Sequence, residues 1–240
     1  MVVVAGISLR RRLGLERSLA EATVRAVAQL VLAGWALTLL LDGDTPMVWA
    51  WAWVVAMVPA AGDAARRREP RLAGLGWMTA VGASLGLGVS LATVFALGIL
   101  PLEARVLVPV SGMVVGNSLK VVVVAATRLV DGLRDRVGEV EALLALGFRP
   151  AWAVRDIASD ALRLALLPQI ETTRSVGVVF LPGALTGLIL AGVDPIQAAL
   201  VQAALLFLIL GTAAVTGLVV VFFGVRVFLT DDQRLVPPTV

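Results

Sequence analysis

The residues of this chain that could do chemistry are few, and most sit where lipid would surround them. The run PVSGMVVGNSLK at 109–120 carries Asn117 and Lys120, the only lysine, inside or at the edge of a hydrophobic stretch. Such groups are costly in hydrocarbon, so they face a bundle interior, a cavity or a partner helix. Two readings stand: a role along a transport path, or a packing interface from which Lys120 snorkels to the membrane surface. Gly112 and Gly116 form a small-xxx-small pair that permits close helix approach. A second candidate run, VFLPGALTGLILAG at 179–192, contains Pro182, which kinks a helix by removing a backbone hydrogen bond, and another small pair, Gly183 and Gly187. Kinked, glycine-lined helices suit a moving bundle.

The absences exclude more. The chain has no histidine and no cysteine, which removes the commonest general base, the commonest metal ligand, every disulfide and every thiol nucleophile. A metal would have to be met by carboxylates, carbonyls or methionine sulfur, and no ligand set for one can be named. Lys120 is followed by valine, so there is no phosphate-binding P-loop. Neither H-E-x-x-H nor G-x-S-x-G occurs. No cofactor is expected, and catalysis by this chain alone is not.

The elements that must position these residues are membrane helices. The 240 residues are 59% hydrophobic and 15% charged, with a mean hydropathy of +0.95. Soluble domains are about 45–50% apolar and ~25% charged. Several runs approach the ~20 apolar residues that cross a bilayer. The expected fold class is therefore all-α: a polytopic integral membrane protein, one permease-like transmembrane domain over 1–240, with about six spans. These are placed at 24–41, 47–62, 72–100, 106–126, 176–193 and within 196–228. Trp49, Trp51 and Trp53 read as an interfacial belt. The apolar stub 1–9 ends in Arg10, Arg11 and Arg12, and is expected to be the inner end of a truncated N-terminal helix, a seventh.

Arginine sets the orientation. Loops around 10–25, 63–71 and 127–174, with Arg226 and Arg234, hold every Lys and Arg except Arg105, counting Lys120 as snorkelling from its span to that side, while the other side has Asp42, Asp44, Glu103 and Asp194. The positive-inside rule places the basic side in the cytoplasm, at the inner (plasma) membrane. The high pI thus reports topology, not nucleic acid.

The long polar segment 127–174 organises the rest. Val140, Leu143, Leu144 and Gly147 recur at helical spacing, Gly147 falls at a helix C-cap, and Pro150 begins another helix. That next helix has an apolar stripe of Val154, Ile157, Ala158, Ala161, Leu162 and Ala165. The segment is expected to lie on the cytoplasmic side and offer an apolar knob to a partner.

At 109–120 and 137–195 the sequence resembles the FetB family of ABC-transporter permeases, the membrane partners of FetA-type ATPases. The pieces that carry this are PVSGMVVGNS, EVEALLALGFRPAWA and RDIASDALRLALLPQIETTRSVGVVFLPGALTGLILAGVDP, in the family's order and spacing. The resemblance extends over roughly 15–236. It implies a homodimeric permease driven by two copies of a cytoplasmic ABC-type ATPase. Bacterial members are associated with iron export and plant relatives with aluminium tolerance, so a metal ion or metal complex is the implied substrate.

Glu141-Ala142 followed by Gly147 also resembles the EAA-type coupling loop of ABC permeases, although Leu143 replaces its second alanine and Leu167-Pro168 comes later than its Leu-Pro. A short helix ending at Gly147 would insert Leu143, Leu146 and Phe148 into a groove on the ATPase. The rivals are a secondary transporter that works without ATPase and a membrane scaffold with no transport. Intramembrane charges are too few for an obvious proton relay.

Overall fold

The computed structural model describes residues 16–40, 46–229 and Leu235. The expectations placed on the N-terminal stub, the acidic turn at 42–45 and most of the C-terminal tail lie outside these residues. Nine helices are found among those described: α1 (Glu16–Leu40), α2 (Met47–Arg68), α3 (Leu75–Ala96), α4 (Ala104–Asp135), α5 (Val137–Ala145), α6 (Pro150–Ala153), α7 (Arg155–Ser175), α8 (Gly183–Leu190) and α9 (Pro195–Val227). Five of them, α1 to α4 and α9, are long and apolar enough to cross a bilayer. The protein is an all-helical, polytopic membrane protein.

The chain divides into two units, Met1–Ala50 and Trp51–Val240. The first holds α1, whose stretch Ala20–Leu40 is a candidate span. The second holds α2 from Trp51 onward and α3 to α9, whose directions can be read from side-chain neighbours. Met57 of α2 reaches Gly112 of α4, and Glu69, just past the end of α2, bonds Thr127 of α4, so α2 and α4 run in parallel. Gly82 and Gly86 of α3 meet Thr216 and Thr212 of α9 in that order, so α3 and α9 are antiparallel. Val121 of α4 meets Gly217 of α9 and Leu129 meets Gly224, so α4 and α9 are parallel. Ile157 of α7 lies on Gly132 of α4, and Ala165 packs beside Val121, so α7 runs back along both.

That arrangement corrects the expected fifth span. Residues 176–193 do not form a spanning helix. Gly177 adopts φ +85°, Val176 and Phe180 close a tight bridge, and α8 has eight residues, about 12 Å of rise. Pro182 kinks nothing. It is the N-cap residue of α8, with the extended backbone (φ −62°, ψ 148°) that precedes a helix. Because α4 and α9 run the same way, a chain in which both cross the bilayer must return between them. The return leg is α7, continued by the 176–182 turn and α8. The polar segment 127–174 is thus not a peripheral element throughout: the middle of α7 lies beside the middles of α4 and α9.

α9 is the central rod, packed on α3, α4 and α7. Asp194 starts it by accepting from the amides of Ile196 (3.0 Å) and Gln197 (3.1 Å), with Pro195 at the first helical position. Its contact with α3 is made at glycines. A Cβ on Gly82 would stand 2.9 Å from Thr216 Cα, and one on Gly86 would stand 2.8 Å from Thr212 Cγ2. Thr212 donates to the Gly86 carbonyl at 3.1 Å and shares a 2.7 Å hydrogen bond with Ser90. With no hydrophobic drive between helices in lipid, this small-residue approach and its hydrogen bonds hold the pair. The close-approach stripe is therefore Gly82 and Gly86. Gly116 has open space around it, and Gly112 meets only the end of the Met57 side chain.

Gly86→Leu should force α3 and α9 apart at a cost of about 1–3 kcal/mol, the usual range for overpacking. Unfolding in detergent micelles would read this as a lower midpoint, with Gly116→Leu close to wild type.

Candidate functional site

Two places in the second unit gather the candidate residues, and α7 joins them. The first is an elbow at the end of the bundle where α4 and α9 finish. α5 is pinned by Val140, fully buried in a cluster with Val154 and Ile157, and Leu143 and Leu144 pack half-buried against the same cluster. Arg136 holds the start of α5 through a paired contact to Glu139 at 2.7 and 2.6 Å. The helix ends in a Schellman turn. Gly147 takes φ +84°, its amide donates to the Leu144 carbonyl (3.0 Å), and the Phe148 amide donates to that of Leu143 (3.1 Å). A left-handed residue is required there, which is why glycine stands at 147.

The turn throws the next side chains outward. Leu146 is 75% exposed, and Phe148 stacks on Trp152 with ring centroids 4.4 Å apart, both rings exposed in part. Glu141 and Gly147 are exposed beside them. Of the residues expected to form a knob, Leu143 is turned toward the core instead, because it shares the buried stripe of Val140. Trp152, on α6, takes its place. An aromatic two residues after Pro150 was the available signal for it.

The second place is a cavity of about 450 Å³ between α4, α7, the 176–182 turn and α9. Asn117, Lys120 and Pro182, all singled out by the sequence, line it together. Gly183 and Gly187 do not, and neither packs closely on anything. Lys120 lies roughly halfway along α4, about 12 Å from Arg128 by helical rise, which is deeper than a residue at the mouth of a span. Its ammonium makes one long contact, 3.4 Å to Asn117 Oδ1, while Asn117 Nδ2 donates to the Met113 carbonyl at 2.8 Å. Gln169 and Thr172 of α7 and Gln202 of α9 complete the polar lining. Gln202 is 4% exposed, and its Oε1 is buried with no hydrogen-bond partner. Sequence reasoning passed over Gln202, although an amide within a 33-residue apolar helix is itself a signal. No group of three acidic residues that could hold a metal occurs among the described residues.

A third cluster fastens the elbow end. Glu69 is almost fully buried just after α2 and accepts two 2.8 Å bonds from the Arg71 guanidinium, whose remaining nitrogen reaches Asp131 of α4 at 2.8 Å. The Thr127 hydroxyl donates a further bond to Glu69 at 2.8 Å. The Arg71 hydrogen bonds hold the Glu69 carboxyl below its ordinary range, against the opposing effect of burial. Glu69 and then Asp131 raise the already high Arg71 value. In the sequence this stretch reads only as a basic loop, since the pairing needs α4 alongside.

Crossing helices, a half-polar return leg and a mid-bundle cavity with several polar residues in its lining define a multi-pass membrane protein. A family model described as "Uncharacterised protein family (UPF0014)" matches residues 1–229. The chain belongs to that family of membrane proteins. It is 31% identical to the UPF0014 membrane protein YjkA of Bacillus subtilis, over 98% of this chain and 94% of the relative. It is equally 31% identical to the UPF0014 membrane protein STAR2 of Oryza sativa, over 98% and 82%. The Escherichia coli protein named "Probable iron export permease protein FetB" is 27% identical over 98% and 91%. No solved structure matches.

Because the native Glu69 value is depressed, its stabilisation is complete above the ordinary carboxylate range and is lost as pH falls through the native value. Melting in detergent should therefore weaken on acidification, and Glu69→Gln should flatten that acid limb. At neutral pH the same variant should cost about 1.5–3 kcal/mol, as for a hydrogen bond to a charged group.

Proposed function

We propose that this chain is the membrane permease subunit of an ABC-type transporter that exports a metal ion or metal complex. It works as a homodimer with two copies of a separate cytoplasmic ATPase, which carries all the ATP hydrolysis. The basic end of the bundle, with Arg66, Arg67, Arg68, Arg71, Arg128, Arg134 and Arg136, faces the cytoplasm at the inner membrane. The name of the Escherichia coli relative supports export of iron as the substrate class.

The observation that carries this reading is the exposed Leu146–Phe148–Trp152 elbow. A membrane protein has no reason to present three large apolar side chains on its most basic end unless something covers them. Buried aromatic anchors of this kind dominate protein–protein interfaces. Behind the elbow, α5 and α7 share one buried cluster through Val140, Val154 and Ile157. α7 then runs without a break to Gln169 and Thr172 in the cavity wall. A push from a closing ATPase dimer would travel along that helix and shift the cavity's walls. Glu141 and Gly147 belong to the elbow as its exposed charge and its turn. Gly112, Gly116, Gly183 and Gly187, on which no helix backbone among the described residues packs closely, are left for the second protomer or for lipid.

Leu146→Asp should abolish co-purification of the ATPase while leaving the permease's melting midpoint unchanged, because the side chain touches no core and a charge entering an apolar groove is unpaired. Full ATPase recovery with this variant, or uphill transport by the permease alone in liposomes, would reject the reading.

A further inference from the structure

We infer that the α4–α7–α9 cavity binds a small hydroxycarboxylate, so that a metal crossing this permease does so as an anionic chelate and not as a bare cation. The inference rests on the permease reading for its transport role, but the binding site itself rests on the cavity alone.

Three features define the ligand. First, Lys120 is the only charged side chain among those lining the cavity. A bare divalent cation would enter a space that holds a positive charge, with no carboxylate to offset it. Hard cations take oxygen ligands, several of them carboxylates, and borderline ones take imidazole or thiolate. The chain has neither histidine nor cysteine, and the cavity has no Asp or Glu.

Second, the Lys120 ammonium is poorly satisfied. It has three donors, and its one contact, 3.4 Å to Asn117 Oδ1, is longer than an ordinary hydrogen bond. The side chain is exposed halfway along α4, and a charged donor there favours an oxyanion.

Third, Gln202 Oε1 is an acceptor, buried and without a partner. An unmade bond of this sort is expensive, and a ligand hydroxyl would complete it. Gln169 on the facing wall can donate or accept, while Thr172, whose hydroxyl donates to the Pro168 carbonyl at 2.8 Å, can accept.

A ligand that answers all three carries carboxylate for Lys120 and hydroxyl for Gln202. Sulfate, a dianion with no proton near neutral pH, meets the first requirement and not the second, and a free metal ion meets neither. The volume, about 450 Å³, lies within the roughly 300–1,000 Å³ of small-molecule sites. In a chelate with a trivalent metal the hydroxyl oxygen binds the metal and loses its proton, so the O–H offered to Gln202 then comes from a metal-bound water. The chelate keeps net negative charge on its outer carboxylates, which are what the cavity would read.

The test is equilibrium binding to the purified permease in nanodiscs of neutral lipid, with no ATPase present. The probes are citrate, ferric citrate, sulfate, and ferrous and manganous ions without chelator. Citrate and ferric citrate should bind the wild type, and sulfate should bind at least tenfold more weakly. Lys120→Gln should weaken citrate about ten- to a hundredfold, the worth of a hydrogen bond between charged groups, and Lys120→Arg should restore most of it. Gln202→Leu should weaken citrate and leave sulfate unchanged. If Lys120→Gln does not fold, the Gln202→Leu comparison decides alone.

Sulfate binding as tightly as citrate, metal ions binding without chelator, or citrate affinity indifferent to both variants would each overturn the proposal, as would no binding by any probe. Loss of ATPase capture in the elbow variant is a separate readout, so failure of the binding site and failure of the ABC reading are distinguishable.

Discussion

The parallel run of α4 and α9 is the constraint on which the rest depends. Two helices that cross a bilayer in the same sense require the chain between them to cross back. Here that chain is the least apolar part of the second unit, and it brings Asp156, Asp160, Arg163 and Glu171 along with it. Lipid cannot satisfy a helix like this. It is tolerated because α7 turns Ile157, Ala161 and Ala165 onto α4 and α9, leaving its polar positions to a cavity and to the basic end of the bundle. A break at 176–182 then divides the return leg, and non-helical backbone at membrane depth is found where it is buried in protein or lines a cavity. Phe180 and Pro182, at that break, do line one.

Stiffness and give are separated along the same path. The contact of α3 with α9 is close and hydrogen-bonded through Gly82, Gly86, Thr212 and Ser90, which leaves little room for sliding. The Glu69, Arg71 and Asp131 cluster ties the α2–α3 connection to the lower part of α4. Against this fixed frame, α7 leans on α9 at Gly217, where a Cβ would stand 3.0 Å from Leu162 Cδ1, and on α4 at Gly132, beneath Ile157. Its far end runs into the 176–182 turn. A helix seated at one end on an elbow and ending in a turn is suited to carrying a displacement.

The elbow itself shows how little is needed to build a docking point. One left-handed glycine and two Schellman hydrogen bonds reverse the chain after α5, and the reversal exposes whatever follows. The inward stripe of Val140, Leu143 and Leu144 keeps α5 seated. The outward residues are then free to be apolar without weakening the fold, since none of Leu146, Phe148 or Trp152 belongs to the core.

What the sequence by itself determined were properties carried by a single segment. Hydropathy marked α1 to α4 and α9, because a bilayer reads each helix alone. The spacing of Val140 to Gly147, with Pro150 after it, marked α5, its glycine stop and the start of α6, because caps are local. The buried stripe of α7 was legible for the same reason. Tertiary structure alone decided what depends on two segments meeting. That α7 and not 176–193 carries most of the return crossing follows from the direction of α9 relative to α4, which no local window contains. That Gly82 and Gly86, and not Gly112 and Gly116, make the close approach depends on which helix lies opposite. Gln202 joins Lys120 across the cavity, and Arg71 finds Asp131 sixty residues away, only because the bundle folds them together. Segments announce their solvent, but partners are settled by packing.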